Sequence, residues 1–350
     1  MDAASILRAV YSVEGSRSRP NPGDSPVHHQ GHPGLTPDAR TASIAAGGEP
    51  DADPTGRRGG TPVRIFGDRL AVNAELPALE THNLAKRYGR RTWALTGIDL
   101  TLPQGGITAL VGPNAAGKST LIKTWVGFER PTRGTVSVMG IDPWRDRSRA
   151  LAKVGYVPQS PALYDGLSVD DHLDLAQQLR PGFDRAYAQQ RLAQLDIPVG
   201  RGARSLSGGQ QAQVALALAL GTRAPILLLD EPLASLDPLA RREFLHVVTD
   251  AVRADGATAL LSSHIVTDVE QACDRLIVLG VGRALLHETV AVALAQHAIA
   301  LTERADAVGS FAAADGSRLS LIRGDGDRPA TLEEVVLGYL ASSRTTPMAA

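Results

Sequence analysis

Short uninterrupted apolar runs recur through the middle of the chain. They cover residues 107–111, 226–229, 257–261 and 276–279. A strand buried on both faces is apolar throughout, whereas a strand with one solvated face alternates apolar and polar residues. Helical patterns separate the runs, so the sequence predicts an α/β domain built on a buried parallel sheet.

The strand signal disappears between about residues 160 and 222. Residues 168–179 and 184–195 both have the spacing of helices, and Ser168 and Asp171 form a capping-box pattern at the start of the first. This stretch is therefore predicted to be a helical insertion in the α/β domain.

The first part of the chain has a different composition. Residues 15–62 contain nine glycines and eight prolines. Such a segment buries too little apolar surface to offset the entropy of ordering it. Residues 1–76 are therefore predicted to be a disordered N-terminal extension, with order beginning near Pro77.

Beyond about residue 290 the apolar pattern weakens. Helices are expected over 292–300 and 331–340, with turns rich in glycine and aspartate between them. The predicted organisation is a central α/β domain, residues 77–290, followed by a short C-terminal extension, residues 291–350.

Composition narrows the class of protein. Of the 350 residues, 43% are hydrophobic and 21% charged, as in soluble globular proteins. The net charge of −1 argues against a dedicated DNA- or RNA-binding protein, which carries a basic stripe. The single cysteine, Cys273, excludes an internal disulfide, an iron–sulfur cluster and a thiolate zinc site. Neither a membrane span nor a secretory signal is expected.

A glycine-rich turn follows the first apolar run. Residues 112–119 read Gly-Pro-Asn-Ala-Ala-Gly-Lys-Ser, which fits the phosphate-loop (P-loop) pattern G-x-x-x-x-G-K-[ST]. Glycines let backbone N–H groups turn inward around an anion, and the next helix points its positive N-terminus at the phosphates. Lys118 is predicted to bridge the β- and γ-phosphates of ATP, and Ser119 to ligate Mg²⁺. The predicted nucleotide-binding residues here are Gly112, Pro113, Asn114, Ala115, Ala116, Gly117, Lys118, Ser119 and Thr120.

Two acids follow the second apolar run. Asp230 ends that run and Glu231 comes next. In a P-loop protein an acid at the end of a buried strand holds Mg²⁺, which predicts this role for Asp230. The neighbouring Glu231 is predicted to polarise a water for in-line attack on the γ-phosphate.

Residues 206–210 read Leu-Ser-Gly-Gly-Gln, and further short motifs lie along the chain. Together with the P-loop and the two acids, this stretch resembles the signature motif of the ATP-binding cassette (ABC) ATPases. The resemblance covers about residues 78–287, with the motifs in the family order. The others are Tyr88, which resembles the aromatic A-loop residue, Gln159 of the Q-loop, Asp237 of the D-loop and the switch histidine His264.

The resemblance implies a fold and a set of roles. The fold is a RecA-like P-loop NTPase core with an N-terminal antiparallel β-subdomain and a helical insertion. Tyr88 is implied to stack on adenine, and Gln159 to reach both Mg²⁺ and the attacking water. The implied catalytic residues are Glu231, His264, Lys118 and Gln159.

The signature motif also implies a partner. In the family its helix faces the γ-phosphate held by a second subunit, so two copies are expected to pair head to tail around two ATP molecules. The further nucleotide-binding residues that the resemblance implies are Ser207, Gly208, Gly209 and Gln210 of this motif and Asp237 of the D-loop.

The segment after Gln159 indicates which class of ABC ATPase the chain resembles. Residues 161–173 resemble the same region of bacterial multidrug and ABC-2-type export ATPases, and 331–335 resemble the C-terminal helix of many of them. The resemblance implies a Mg²⁺-dependent ATP hydrolase, most simply a homodimer, that drives export through separate integral membrane permease subunits. It implies a cytoplasmic protein, peripheral on the inner face of the cell membrane, without direct contact to nucleic acid.

Three alternatives share these motifs. An ABC importer ATPase often carries a larger C-terminal domain than the residues after 290 provide. A non-transport cassette acting on nucleic acid or ribosomes usually has two cassettes or long coiled-coil insertions. A nucleotide-binding module without hydrolysis would not need Glu231 and His264, which are both present.

Three positions depart from the common family form. Ala115 stands where the P-loop usually has glycine, and would cost about 1 kcal/mol if that position requires a positive φ. Gln211 and Gln213 stand where relatives often carry basic residues, which is expected to soften contacts around the signature helix.

Overall fold

The computed structural model of the chain describes residues 76–160, 163–313 and 315–345. The predicted N-terminal extension lies outside them apart from Leu76, as do residues 161 and 162. In chain order the strands are β1 (Leu79–Tyr88), β2 (Thr92–Leu102), β3 (Gly106–Val111), β4 (Arg133–Val138), β5 (Val154–Val157), β6 (Ile226–Leu229), β7 (Thr258–Ser263), β8 (Arg275–Gly280), β9 (Arg283–Thr289), β10 (His297–Ala300), β11 (Gly309–Ala312), β12 (Arg318–Arg323) and β13 (Arg328–Pro329). The helices are α1 (Lys118–Trp125), α2 (Arg147–Leu151), α3 (Val169–Leu179), α4 (Arg185–Gln194), α5 (Gly208–Gly221), α6 (Pro238–Asp255), α7 (Val266–Ala272), α8 (Val290–Gln296) and α9 (Leu332–Thr345).

The central sheet has six strands in the order β5-β6-β7-β3-β8-β9. Neighbouring strands are parallel except for β9, which pairs antiparallel with β8. The four apolar runs are β3, β6, β7 and β8, as predicted. Both faces of β6 are buried, because Leu227 and Leu229 enter one hydrophobic cluster and Ile226 and Leu228 another. The α/β fold predicted from these runs is confirmed.

Parallel strands place three predicted site segments at one edge of this sheet. The P-loop follows β3, Asp230 follows β6 and His264 follows β7. Because β6, β7 and β3 are adjacent and parallel, their carboxyl ends lie side by side. The topology therefore gathers residues that are more than 100 positions apart in the sequence.

The implied β-subdomain is a three-stranded antiparallel sheet in the order β2-β1-β4. Leu79, Leu95 and Ile98 are fully buried and join the same cluster as Trp125 of α1. This packing places the β-subdomain directly against the helix that follows the P-loop.

The stretch predicted as a helical insertion contains α3, α4 and α5. Ser168 and Asp171 form the expected capping box at α3, and the Asp184 side chain caps α4 by accepting a hydrogen bond from a backbone N–H. Leu173 and Leu192 belong to a separate hydrophobic cluster formed by these helices and the turns between them. The insertion therefore has an apolar core of its own.

The prediction for the C-terminal region was wrong in part. The helix expected over 292–300 ends at Gln296, and His297–Ala300 is strand β10 of a four-stranded sheet with the order β11-β12-β10-β13. A short run such as His-Ala-Ile-Ala fits either state, and antiparallel pairing with β12, some 20 residues away, decides for the strand. The second expected helix is α9.

A membrane-spanning helix would have to be long and apolar. Within residues 76–160, 163–313 and 315–345, no helix meets both requirements.

Candidate functional site

The P-loop is closely enclosed by backbone. A Cβ at Gly112 would lie 2.2 Å from the Leu279 carbonyl oxygen, and one at Gly117 would lie 2.6 Å from the Ala94 carbonyl oxygen. Gly117 also has φ 106°, and α1 begins at the next residue. These two positions therefore require glycine, and the helix N-terminus that follows favours an anion.

Lys118 projects back over this loop. Its Nζ donates to the carbonyl oxygens of Gly112 at 2.8 Å and Pro113 at 3.2 Å. The same Nζ lies 2.9 Å from Oε1 of Glu231. Because Lys118 is only 4% exposed, its charge is compensated inside the site rather than by bulk water.

Asp230 sits beside Ser119, as the predicted Mg²⁺ ligands should. The Ser119 hydroxyl donates to Oδ1 of Asp230 at 2.9 Å, and the Ser262 hydroxyl donates to the same oxygen at 3.1 Å. The pKa of Asp230 is raised above its usual value, because the effect of burial exceeds the opposing effect of the two hydroxyl hydrogen bonds. A hydroxyl and a carboxylate are hard oxygen ligands, so this pair fits a Mg²⁺ ion.

Glu231 is the residue on which the other predicted catalytic groups converge. Besides Lys118 at Oε1, its Oε2 lies 3.5 Å from Nε2 of Gln159 and 3.4 Å from Nδ1 of His264. The carboxylate is 8% exposed and its backbone has φ 46°. A non-glycine residue held in the left-handed region is common at active sites, where surrounding contacts impose the conformation.

Ser262 was missed by the sequence analysis. Besides binding Asp230, its Oγ accepts the backbone N–H of Glu231 at 2.7 Å, so one hydroxyl holds both neighbouring acids. Ser262 is fully buried. A polar residue at the end of a buried apolar run, two positions before His264, is the signal that could have found it.

Tyr88 lies beside the first turn of α1. It is 40% exposed, and its hydroxyl is 3.4 Å from Oγ1 of Thr120. The Lys86 ammonium sits 5.1 Å from the centre of its ring. The predicted aromatic residue is thus next to the helix that carries the P-loop lysine.

The signature residues form a separate group. Ser207 caps α5 in a capping box with Gln210, and a Cβ at Gly209 would lie 3.3 Å from Cδ2 of Leu236. Asp237 caps α6 by accepting the N–H groups of Leu239 and Ala240. In the described part of the chain, no hydrogen bond or ion pair joins residues 207–210 to the P-loop or Glu231.

The three departures from the family pattern have structural counterparts. Ala115 has φ 64°, so the condition attached to its predicted cost is met. Gln211 donates to the carbonyl oxygens of Ala203 and Leu206. Gln213 is 5% exposed, and neither of its amide atoms has a hydrogen-bond partner among the described residues.

Known proteins share this arrangement of elements. The model of the ABC transporter family matches residues 95–234. The chain is 35% identical over 202 residues to the probable multidrug ABC transporter ATP-binding protein YbhF of Escherichia coli, covering 56% of this chain and only 35% of YbhF. It is 34% identical over 235 residues to the phosphonates import ATP-binding protein PhnC of Thiobacillus denitrificans, covering 63% of this chain and 91% of PhnC. The dimeric structure of MJ0796, a bacterial ABC transporter cassette, matches with a TM-score of 0.56 and 25% identity, covering 61% of this chain and 98% of that one.

Proposed function

Because the chain belongs to the family of ABC transporter ATP-binding proteins, whose members hydrolyse ATP, we propose that it powers export through separate membrane subunits. The observation that carries the catalytic part of this proposal is the convergence of Lys118, Gln159 and His264 on Glu231. The catalytic domain is proposed to span residues 77–290, with the helical insertion at about 160–222.

The P-loop residues are proposed to bind the phosphates of ATP. Gly112 and Gly117 leave room for backbone N–H groups to face the anion, and Lys118 supplies a buried positive charge. Tyr88, which is 40% exposed and lies beside Thr120 of α1, is proposed to stack on adenine. Thr120, next to the Tyr88 hydroxyl, lies between these two parts of the nucleotide site.

Hydrolysis is assigned to the groups around Glu231. Its carboxylate accepts a proton from the attacking water, and Gln159 and His264 hold donors on the same side of it. Ser119 and Asp230, already in contact, would hold Mg²⁺. A bound Mg²⁺ would neutralise charge on the phosphates.

The signature residues are proposed to act on a second copy of the chain. Ser207, Gly208 and Gly209 stand at the N-terminus of α5, where Ser207 bonds to Gln210. Among the described residues, none of their hydrogen bonds reaches their own P-loop. Head-to-tail pairing would place this N-terminus at the partner's γ-phosphate, where the helix dipole favours an anion. The structure of the MJ0796 cassette is dimeric, which supports the pairing of two copies.

Export is preferred over import on the segment after Gln159. Sequence identity does not separate the two directions, since PhnC is named as an import protein and YbhF as a multidrug protein. The likeness of residues 161–173 to export ATPases favours export. An importer ATPase and a non-transport cassette acting on nucleic acid or ribosomes remain the alternatives.

The catalytic assignment is tested by steady-state ATP hydrolysis with Mg²⁺. We expect Lys118→Ala and Glu231→Gln each to lower turnover by about 10²-fold or more, because each removes a group needed in the transition state. Glu231→Gln should in addition form an ATP-dependent dimer by light scattering, since it binds ATP without consuming it. Near-normal turnover in both variants would overturn the assignment.

The export assignment needs the membrane partner. A tagged chain is purified from detergent-solubilised membranes, and a stoichiometric polytopic protein is identified by mass spectrometry. The complex is then placed in vesicles with the ATPase facing outward. ATP-driven accumulation of a cell-extract compound inside these vesicles supports export, and ATP-driven loss from loaded vesicles supports import. Recovery only with ribosomes or DNA would sink both transport hypotheses.

A further inference from the structure

The turn between β8 and β9 has an unusual backbone. This hairpin tip consists of Gly280, Val281 and Gly282. Val281 has φ 48° although it is β-branched, and Gly282 has φ 70°. Val281 is also 50% exposed, so burial of its side chain does not explain its presence. A branched residue stays in this conformation only where its surroundings fix the backbone.

The front of the hairpin tip is bonded to the P-loop. The Gly282 N–H donates to the Ala116 carbonyl oxygen at 3.1 Å, and the Gly282 carbonyl oxygen accepts the Thr96 N–H at 2.8 Å. A Cβ at Gly282 would lie 2.7 Å from the Ala94 carbonyl oxygen. Gly282 thus ties the P-loop to strand β2 through its backbone alone.

The two P-loop positions that require glycine, Gly112 and Gly117, lie against two segments. Gly112 abuts the Leu279 carbonyl, one residue before the hairpin tip, and Gly117 abuts the Ala94 carbonyl of β2. The loop is therefore held between β2 and the β8–β9 hairpin, and a shift of the hairpin would move the loop with it.

The back of the hairpin tip rests on the C-terminal helix α9. A Cβ at Gly280 would lie 2.6 Å from Cδ1 of Leu285, 3.1 Å from Oγ of Ser343 and 3.4 Å from Cδ2 of Leu340. Leu340 and Ser343 belong to α9. A side chain at Gly280 would therefore conflict with Leu285 of β9 and crowd Ser343 of α9, with Leu340 at contact distance.

We propose that Gly282 is a positioning residue for the P-loop, and that α9 holds the hairpin tip in place, so the contact between α9 and Gly280 sets the affinity for ATP. The proposal rests on the assignment of residues 112–120 as the nucleotide-binding loop. It gives the C-terminal extension a defined task at the ATP site, reached through one hairpin.

Two substitutions disturb this contact from opposite sides. Gly280→Ala inserts a methyl group into the filled space, and Leu340→Ala removes the α9 side chain that faces it. Each should raise the KM for ATP about 10-fold, since small displacements of binding groups have effects of this size. The kcat at saturating ATP should change less than KM, because neither substitution alters Glu231, Gln159 or His264.

Each variant has a matched control. Gly221→Ala places a Cβ 2.6 Å from Cε2 of Phe183, a similar steric conflict at the last residue of α5. Leu337→Ala makes the same truncation on α9 at a residue that is 38% exposed. Both controls should keep the wild-type KM, and urea unfolding measures the stability of all four variants.

The outcomes separate this proposal from the assignment of the loop. Wild-type KM in folded Gly280→Ala and Leu340→Ala would overturn the positioning role, and if Gly280→Ala does not fold, Leu340→Ala decides alone. An equal rise of KM in Leu337→Ala would also overturn it. Wild-type ATP binding by Lys118→Ala would instead refute the nucleotide loop itself.

Discussion

Replacing Ala115 with glycine should stabilise the protein, although the change removes a side chain from the P-loop. Ala115 has φ 64°, in the left-handed region where a Cβ crowds the following carbonyl oxygen. The residue is exposed, so its methyl group contributes little buried apolar surface. Removing the methyl group therefore relieves backbone strain and loses almost no buried apolar contact.

The magnitude follows from two opposing contributions. A glycine at residue 115 holds the left-handed conformation without the steric conflict of a Cβ, which stabilises the folded state by about 1–2 kcal/mol. The greater freedom of glycine in the unfolded chain costs about 0.4–1 kcal/mol. The net effect on the free energy of unfolding is a gain of about 0.8 kcal/mol.

Urea unfolding followed by circular dichroism measures this gain. At an m-value of about 2 kcal/mol/M, the midpoint should rise by about 0.4 M with m unchanged. The neighbouring substitution Ala116→Gly is the matched control. Ala116 is 3% exposed and has no positive φ, so the same change should lower the midpoint.

The reasoning would be refuted by a midpoint that falls in Ala115→Gly as it does in Ala116→Gly. That result would mean that the left-handed backbone at residue 115 carries no strain in the folded protein. A change in m would point instead to an altered unfolded state.

Three further predictions concern positions away from the nucleotide. Hydrogen bonds from Arg328 lower the pKa of Glu334 to about 2, so they stabilise the protein fully above the unfolded pKa of 4.5 and lose this effect as the pH falls toward 2. Glu334→Gln should lower the free energy of unfolding by about 1 kcal/mol at pH 7. The difference between the urea midpoints of the variant and the wild type should shrink below pH 4.5. Burial raises the pKa of the Cys273 thiol to about 12, so a thiol reagent at pH 8 should label the native protein about 10³-fold more slowly than the urea-unfolded chain, and equal rates would contradict this. Gln213→Met should raise the free energy of unfolding by about 1 kcal/mol, because it removes a buried amide that has no partner among the described residues. Gln211→Met breaks two hydrogen bonds and should lower it.

Local chemistry was enough to predict much of the molecule. The apolar runs, separated by helical patterns, indicated strands buried on both faces. The glycine spacing before Lys118 and Ser119 could be read without knowing what surrounds it. The capping residues Ser168 and Asp171 are likewise three positions apart and bond to each other's backbone. In the capping box the interacting groups are neighbours in the chain, so the sequence contains both sides of the interaction.

The rest depends on residues that are distant in sequence and close in space. His297–Ala300 became a strand because β12 pairs with it, and no property of those four residues required this. Ser262 is important because β7 lies beside β6, which brings its hydroxyl to Asp230 and Glu231. The strained Val281 and the contact of Gly280 with α9 arise in the same way. The sequence by itself thus determined which chemical groups the site contains, and only the tertiary structure decided their distances and what holds the P-loop from behind.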